Sequence, residues 1–157
     1  MISVRAARAD DQDFIDNLGA QTAADTISAL RAIPARVAIQ SFQRLLGFSR
    51  ERFGTVIIVA EQDDQRAGFL ILLTDVPDDP TQLQQGFIAY VAVCAQLRGQ
   101  GIGRALVQAA AAEAQRRGLP HLSLMVGSHN RARALYAQEG FAEERILMTK
   151  TLTRAQA

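Results

Sequence analysis

The sequence predicts an α/β domain in which one β-sheet is covered by helices. Short runs of β-branched and apolar residues alternate with longer stretches whose apolar residues recur every three or four positions, the spacing of one helix face. A glycine-dense turn joins an apolar, strand-like run to the clearest of these helical stretches. The length of 157 residues is that of one domain, so we expect residues 1–157 to form a single unit.

The first third of the chain predicts one strand followed by two helices. Residues 2–6 alternate as a short strand, and Asp10 is in position to cap a first helix. Residues 21–32 are compatible with a helix but contain no strong stop signal. A second helix is expected over residues 35–46, with Gly47 ending it.

The middle third predicts strands. Residues 55–60 are rich in β-branched side chains, and residues 67–73 are their expected hairpin partner across the polar turn at 62–65. Residues 87–93 are apolar or aromatic at every position, which is typical of a central strand covered on both faces.

The last third predicts two more helix–strand pairs. Residues 103–117 form the clearest helix, which Gly118 ends. Residues 121–126 alternate as a strand, a helix is expected from Ser128 or Asn130 to residue 138, and residues 145–152 read as a last strand. The predicted order is therefore β-α-α-β-β-β-α-β-α-β.

Composition and charge exclude several classes of protein. The formal net charge of +1 leaves no global basic field for nucleic acid. No apolar stretch approaches the roughly 20 residues that a membrane-spanning helix needs. The single cysteine, Cys94, excludes a disulfide framework and argues against a cysteine-based zinc site. We therefore expect a cytoplasmic protein that uses no metal and binds neither nucleic acid nor membrane.

Residues 97–104, the glycine loop, read Leu-Arg-Gly-Gln-Gly-Ile-Gly-Arg and lie between a predicted strand and a predicted helix. Such a loop lets the backbone approach a phosphate, and the helix start offers free N–H groups and partial positive charge. A nucleoside-triphosphate loop would need a lysine and a hydroxyl residue where Arg104 and Ala105 stand. A dinucleotide fingerprint would need a small residue at Arg104.

The segment from Arg98 to Gly103 resembles the acyl-CoA signature of the GNAT superfamily of N-acyltransferases. A second series, Asn130, Tyr136 and Gly140-Phe141, is also similar to that superfamily. The resemblance implies a central mixed, mostly antiparallel sheet with one parallel strand pair and helices on both faces. It also implies an acetyl-CoA-dependent N-acetyltransferase, in which a primary amine attacks the thioester directly in a ternary complex.

The resemblance assigns roles to individual residues. The Val93 N–H would polarise the thioester carbonyl, and the Tyr136 hydroxyl would hydrogen-bond or protonate the departing sulfur. The residues that would hold acetyl-CoA are Val91, Ala92, Val93, Leu97, Arg98, Gly99, Gln100, Gly101, Ile102, Gly103, Arg104, Asn130, Arg133 and Tyr136. Plainer interpretations stay open: Asn130 as a helix cap, the arginines as solvated surface residues, and Tyr136 as an amphipathic core residue.

The group that deprotonates the amine is not evident from the sequence. The predicted central strand carries no carboxylate at residues 88–90. Glu61, Asp75 or a water molecule are the candidates, and a weakly basic amine would lessen the need for a base. Glu143 and Glu144 could attract a cationic substrate.

The acceptor itself cannot be identified from these residues. It could be a small molecule or a protein amine, and a homodimer is common among members of this superfamily. A non-catalytic acyl-CoA-binding sensor is the alternative function, since the glycine loop would serve it equally well. A covalent mechanism through Cys94 would need a neighbouring base and is disfavoured.

Overall fold

The computed structural model describes residues 1–27 and 29–154. Ser28, which falls in the ambiguous stretch 21–32, and residues 155–157 lie outside the described part of the chain. The strands are β1 (Ile2–Ala6), β2 (Thr55–Gln62), β3 (Gln65–Pro77), β4 (Gln84–Val93) and β5 (Leu122–Leu124). The α-helices are α1 (Gln12–Thr22), α2 (Ala35–Arg50), α3 (Ile102–Arg116) and α4 (Ala132–Gln138). Single 3₁₀ turns occupy Ala9–Asp11, Ala23–Thr26 and Ala95–Leu97.

The strands form one sheet in the order β1-β2-β3-β4-β5. Neighbours are antiparallel from β1 to β4, and β5 runs parallel to β4. The two-residue turn between β2 and β3 places Asp63 and Asp64 at φ of 51° and 62°, the left-handed geometry that matches strand twist in a tight hairpin. This topology confirms the predicted mixed, mostly antiparallel sheet with one parallel pair.

A β-bulge interrupts the central strand. Ile71 of β3 pairs with Tyr90, whereas the next β3 residue, Leu72, pairs with Ile88, so Ala89 is an extra residue on β4. The pairing of β4 with β5 extends only from Gly86 to Ile88. Bulges bend the strand that carries them. Residues 89–93 of β4, beyond the bulge, therefore have β3 on one side and an open edge on the other.

Helices cover both faces of the sheet, as predicted. On one face α1 and α2 enclose a core that includes a ring cluster, in which Phe42 lies 4.7 Å from Tyr90 and Tyr90 lies 5.8 Å from Phe69. On the other face α3 packs Leu106 and neighbouring apolar residues against the sheet. The middle of β3 is 0% exposed from Phe69 to Leu72, since both cores cover it.

Two helix boundaries in the first half differ from the predicted ones. Asp10 does not cap α1; the 3₁₀ turn precedes the helix, and Asp11 occupies the N-cap position without a side-chain cap bond. Helix α2 continues through Gly47 to Arg50, because the buried Leu46 and Ser49 anchor its last turn. Tertiary burial outweighs the stop signal of a single glycine here.

The end of the chain differs more strongly from the prediction. The predicted strand 121–126 is confirmed only for Leu122–Leu124, and α4 begins at Ala132 rather than at Ser128 or Asn130. The predicted strand 145–152 is wrong: residues 141–154 have no regular secondary structure. Arg145 binds Asp79 at 2.8 Å, and none of the strand pairings among the described residues includes the segment after it. A β-prone segment becomes a strand only where another strand supplies its hydrogen bonds.

Candidate active site

Along the open edge of β4, residues 89–93, no second strand within the described part of the chain pairs with the peptide groups. The Cys94 N–H donates to the Ala67 carbonyl of β3 at 2.9 Å. Because peptide groups of neighbouring strand residues point to opposite edges, the N–H groups of Val91 and Val93 point away from β3. Arg98 supports this orientation, since its Nε donates to the Val93 carbonyl at 3.4 Å from outside the ladder.

The glycine loop lies at the end of this open edge and leads into α3. Gly99 and Gly101 have φ of 79° and 93°, a backbone conformation that side chains with a Cβ rarely adopt. Gly101 is the N-cap of α3 and provides no side-chain cap. The first N–H groups of α3 therefore have no acceptor within the helix, which is the ordinary condition of an anion-binding helix start.

Gly103 has a different role in the loop. A Cβ at this position would lie 3.3 Å from the Leu135 Cδ2 atom of α4 and 3.9 Å from a Val93 methyl. The small residue thus allows α4 to approach both the start of α3 and the open edge of β4. The sequence identified this glycine by motif, whereas its packing partner became visible only in the structure.

Each of the three predicted cationic residues has a partner within the described residues. Arg98 binds Asp25 at 3.0 Å, and Arg104 binds Glu139 at 2.8 Å. Arg133 binds the carboxylate of Glu143 and donates to the Ser128 carbonyl at 2.8 Å. The pairs of Arg98 and Arg133 are about half exposed on both sides, whereas Glu139, the partner of Arg104, is only 16% exposed. Exposed ion pairs contribute little to stability, so Arg98 and Arg133 can exchange partners at low cost.

Helix α4 positions Tyr136 and Asn130. The Tyr136 ring packs against Phe141 with centroids 5.9 Å apart and planes at 65°. Burial raises the pKa of the Tyr136 hydroxyl, which therefore stays protonated at neutral pH. The Asn130 Oδ1 atom accepts the Ala132 N–H at 2.9 Å, so this side chain caps the first turn of α4.

A central cavity of about 260 Å³ lies where the open edge of β4, the end of β5, α2 and α4 meet. Val91, Asn130 and Tyr136 line it on the side of the predicted cofactor site. Phe42 and Ser41 of α2 line the opposite side. The cavity thus brings together Val91 of the central strand and residues of the second predicted motif, and α2 adds a wall that the sequence did not reveal.

The carboxylates that the sequence offered as bases lie elsewhere. Glu61 binds Arg5 at 2.6 Å, and Asp75 binds Arg52 at 2.9 Å. Neither lines the central cavity, and no carboxylate among residues 1–27 and 29–154 does. The hydroxyl of Tyr90 is held by Thr22 Oγ1 at 2.9 Å and by the Gly19 carbonyl at 3.2 Å, and burial raises its pKa.

A second, polar cavity of about 500 Å³ surrounds a buried ion network. The Asp11 carboxylate is 0% exposed and accepts bonds from Arg5 at 2.7 Å and from Arg66 at 2.6 Å. Its bond with Arg5 holds the Asp11 pKa well below the usual range, assisted by the Arg8 N–H and by Arg66. These charges neutralise one another and tie β1, β3 and the entry to α1 together.

Cys94 is partly buried beside the start of the glycine loop. Its Sγ lies 3.9 Å from the Arg66 carbonyl, and burial raises the pKa of the thiol. A raised pKa disfavours the thiolate that a nucleophile requires.

No helix within residues 1–27 and 29–154 is long and apolar enough to cross a bilayer. The same residues contain no group of three or more histidine, cysteine, aspartate or glutamate side chains arranged to hold a metal ion.

Solved structures with the same fold cover nearly the whole chain. A protein of Pyrococcus furiosus provisionally described as an acetyl transferase superposes with a TM-score of 0.81 at 19% identity, covering 97% of this chain and 100% of its own. The ribosomal-protein-alanine N-acetyltransferase of Brucella melitensis biovar Abortus 2308 gives 0.66 at 23% identity, with 96% and 99% covered. The glucosamine-6-phosphate N-acetyltransferase of Arabidopsis thaliana gives 0.65 at 17% identity, with 98% and 99% covered.

The amino-acid sequence identifies the family to which the chain belongs. No curated protein sequence matches the chain significantly. The family model described as the acetyltransferase (GNAT) domain matches residues 53–143, which is more than half of the 157 residues and spans the open edge, the glycine loop and α4. The chain therefore belongs to the GNAT family of N-acetyltransferases, whose members use acetyl-CoA as co-substrate.

Proposed function

We propose that this protein transfers an acetyl group from acetyl-CoA to a primary amine by direct attack in a ternary complex. One observation carries the proposal: the open edge of β4 lies beside the uncapped start of α3, and α4, the helix that carries Tyr136, packs close to both. This arrangement fits the two parts of acetyl-CoA. The thioester arm would lie along the open strand edge, and the diphosphate would bind at the helix start.

The glycine loop would hold the diphosphate of coenzyme A. Positive φ at Gly99 and Gly101 turns the backbone so that the first N–H groups of α3 face outward. Leu97, Gln100 and Ile102 would contribute main-chain contacts. The nearby guanidinium groups of Arg98, Arg104 and Arg133 would add phosphate contacts after releasing their carboxylate partners.

The peptide groups of residues 91–93 would hold the pantetheine arm as an added strand. The Val93 N–H would donate to the thioester oxygen as negative charge develops on it during amine attack. Removing one such donor typically costs about 3 kcal/mol of transition-state stabilisation.

Tyr136 would donate a proton to the departing sulfur. The amine nitrogen forms a bond to the carbonyl carbon, the carbon–sulfur bond breaks, and the sulfur leaves with the bonding electron pair. The Tyr136 hydroxyl can protonate that sulfur because its raised pKa keeps it in the phenol form. The amine proton returns to solvent or to tyrosinate, so the products are an amide and a thiol.

The glycine loop provides the first test. A bulky residue at Gly101 would be strained at φ 93° and would displace the α3 start, so Gly101→Val should abolish acetyl-CoA binding in calorimetry. Gly118→Val is the matched control, because Gly118 ends the same helix at φ 70° and no atom other than its chain neighbours lies within 4 Å of its Cβ position. Normal affinity in Gly101→Val would contradict the placement of the diphosphate.

The absence of a carboxylate from the described lining of the cavity keeps a second function open, a non-catalytic acyl-CoA-binding sensor. Release of free thiol from acetyl-CoA, measured with a panel of amines, separates the two functions. Turnover above the rate without amine supports the enzyme, whereas tight binding without turnover supports the sensor.

A further inference from the structure

The wall of the central cavity formed by α2 and β4 carries several apolar side chains. Phe42 and Leu45 come from α2, and Phe87 and Ala89 come from β4. The Phe42 ring lies so close to Gly19 that a Cβ there would meet its Cζ at 1.9 Å, and it also packs against Tyr90 at 4.7 Å. An aromatic ring held on two sides offers a fixed surface for an apolar ligand.

The polar groups on this wall carry no charge. Thr26 and Ser41 are exposed hydroxyl residues, and Thr26 Oγ1 donates its proton to the Ala23 carbonyl at 2.8 Å. Its remaining lone pairs can accept a hydrogen bond from an amine N–H. Hydroxyl oxygens can orient an amine in this way but cannot neutralise a cation.

The described lining of the cavity carries no charged side chain. The described lining contains no aspartate, glutamate, lysine, arginine or histidine, and its titratable members are Tyr90 and Tyr136, both neutral because burial raises their pKa. Asp25, beside Thr26 in sequence, binds Arg98 at 3.0 Å. A second charge on the acceptor would therefore lose its hydration without gaining a partner.

We infer that the acceptor is a primary amine carried on an uncharged apolar body, aromatic or branched aliphatic, with no second charged group. This inference rests on the proposed function and specifies its substrate. The apolar wall and the hydroxyls of Thr26 and Ser41 would face the body of the acceptor, and its reacting nitrogen would point across the cavity toward Tyr136.

The same cavity lessens the need for a catalytic base. An apolar environment disfavours the ammonium form, so it lowers the pKa of an amine that enters it. The amine would lose its proton to water before or during entry and reach the thioester neutral. The lining thus accounts for amine attack without a carboxylate in the cavity.

An amine series of similar size tests the inference with the full chain and acetyl-CoA. Thiol release should give a kcat/KM for 2-phenylethylamine at least about tenfold above those for 1,4-diaminobutane and 4-aminobutanoate. Equal or higher values for either charged amine would overturn the inference and leave acetyl transfer intact. Absence of turnover with every amine would instead contradict the proposed function.

A charge placed in the cavity wall gives a second, independent readout. Ser41→Asp puts a carboxylate on the exposed part of the lining, and it should raise the ratio of kcat/KM for 1,4-diaminobutane over 2-phenylethylamine about fivefold. Gln40→Asp is the matched control, since Gln40 is exposed on the same helix but does not line the cavity. An unchanged ratio in Ser41→Asp would show that the acceptor binds elsewhere.

Discussion

The sheet from β1 to β4 and the chain that follows α3 are packed very differently. In the first region the middle of β3 is fully buried between two layers of helix. In the second region neither β5 nor α4 contains a buried residue, and Met125, Leu147 and Met148 are 84%, 92% and 88% exposed. The first region therefore supplies most of the folding free energy, because burial of apolar area is the main favourable term.

The proposed chemistry uses both regions. The rigid sheet presents the open edge of β4 and the glycine loop, whereas the loosely packed end presents Asn130 and Tyr136. Parts of a protein with few buried contacts open at lower free energy than its core. Substitutions in the buried core of the first region should thus act mainly on stability, and substitutions of cavity-lining residues in the second mainly on turnover.

The largest effect is expected in the centre of the sheet. Phe69→Ala removes a ring that is 0% exposed and stacked on Tyr90, so it should lower the free energy of unfolding by about 3–5 kcal/mol. Urea denaturation followed by circular dichroism measures this change. A loss below about 1 kcal/mol would show that the two regions are not as different as their packing indicates.

The buried ion network should give the next largest effect. Asp11→Asn leaves Arg5 and Arg66 without their shared buried carboxylate, at an expected cost of about 3 kcal/mol near neutral pH. Because folding lowers the Asp11 pKa, its contribution is complete above the unfolded value of about 3.9 and is lost as pH falls below it.

Urea denaturation of the natural chain and of Asp11→Asn at pH 7, 5 and 3 checks the direction of this pH dependence. The difference in unfolding free energy between the natural chain and Asp11→Asn should be constant between pH 7 and 5 and smaller at pH 3. A difference that grows toward pH 3 would contradict the role of the ionised carboxylate.

In the loosely packed region the expected effect is on rate. Tyr136→Phe removes the hydroxyl but keeps the ring contact with Phe141, so kcat should fall about tenfold, which is about 1.4 kcal/mol of barrier, with little change in acetyl-CoA affinity or stability. Single-turnover kinetics together with calorimetry separates these quantities. An unaltered rate of the chemical step would remove Tyr136 from the mechanism.

The smallest effect is expected beyond α4. Leu147→Ala truncates a side chain that is 92% exposed, and the free energy of unfolding should change by no more than about 0.5 kcal/mol. The same denaturation assay used for Phe69→Ala gives the comparison directly. A loss similar to that of a core leucine would mean that this segment packs against something in solution.

Sequence patterns predicted the elements whose signals are local. Helix α3 was predicted within one residue at each end, because its apolar period, its glycine loop and Gly118 all agree. The β2–β3 hairpin was predicted from β-branched runs around a polar turn. The predicted helix stop at Gly47 was wrong because burial around Leu46 extends the helix. The predicted strand at 145–152 was wrong because no described strand pairs with it, and neither burial nor pairing is a local property of the sequence.

In the candidate site, too, the local features could be predicted and the features that depend on distant contacts could not. Glycine at residues 99 and 101 was evident from the motif, and the roles assigned to Val93 and Tyr136 stay predictions. Three features of the site could not be predicted from the sequence. They are the cavity wall formed by Phe42, the ion pair between Glu61 and Arg5, and the β-bulge at Ala89. Each of these features depends on a contact between segments far apart in the chain, and no local sequence pattern specifies such a contact.

The sequence by itself determined the kind of elements, the turn that only glycine tolerates at positive φ, and through two spaced motifs the family. These properties depend on backbone preferences and side-chain periods within a single segment. The tertiary structure alone decided where β4 parts from β5, which carboxylates are neutralised, and how apolar the central cavity is. Those properties arise from strand register and from contacts between residues far apart in the chain, whose free energies exist only once the segments have packed together.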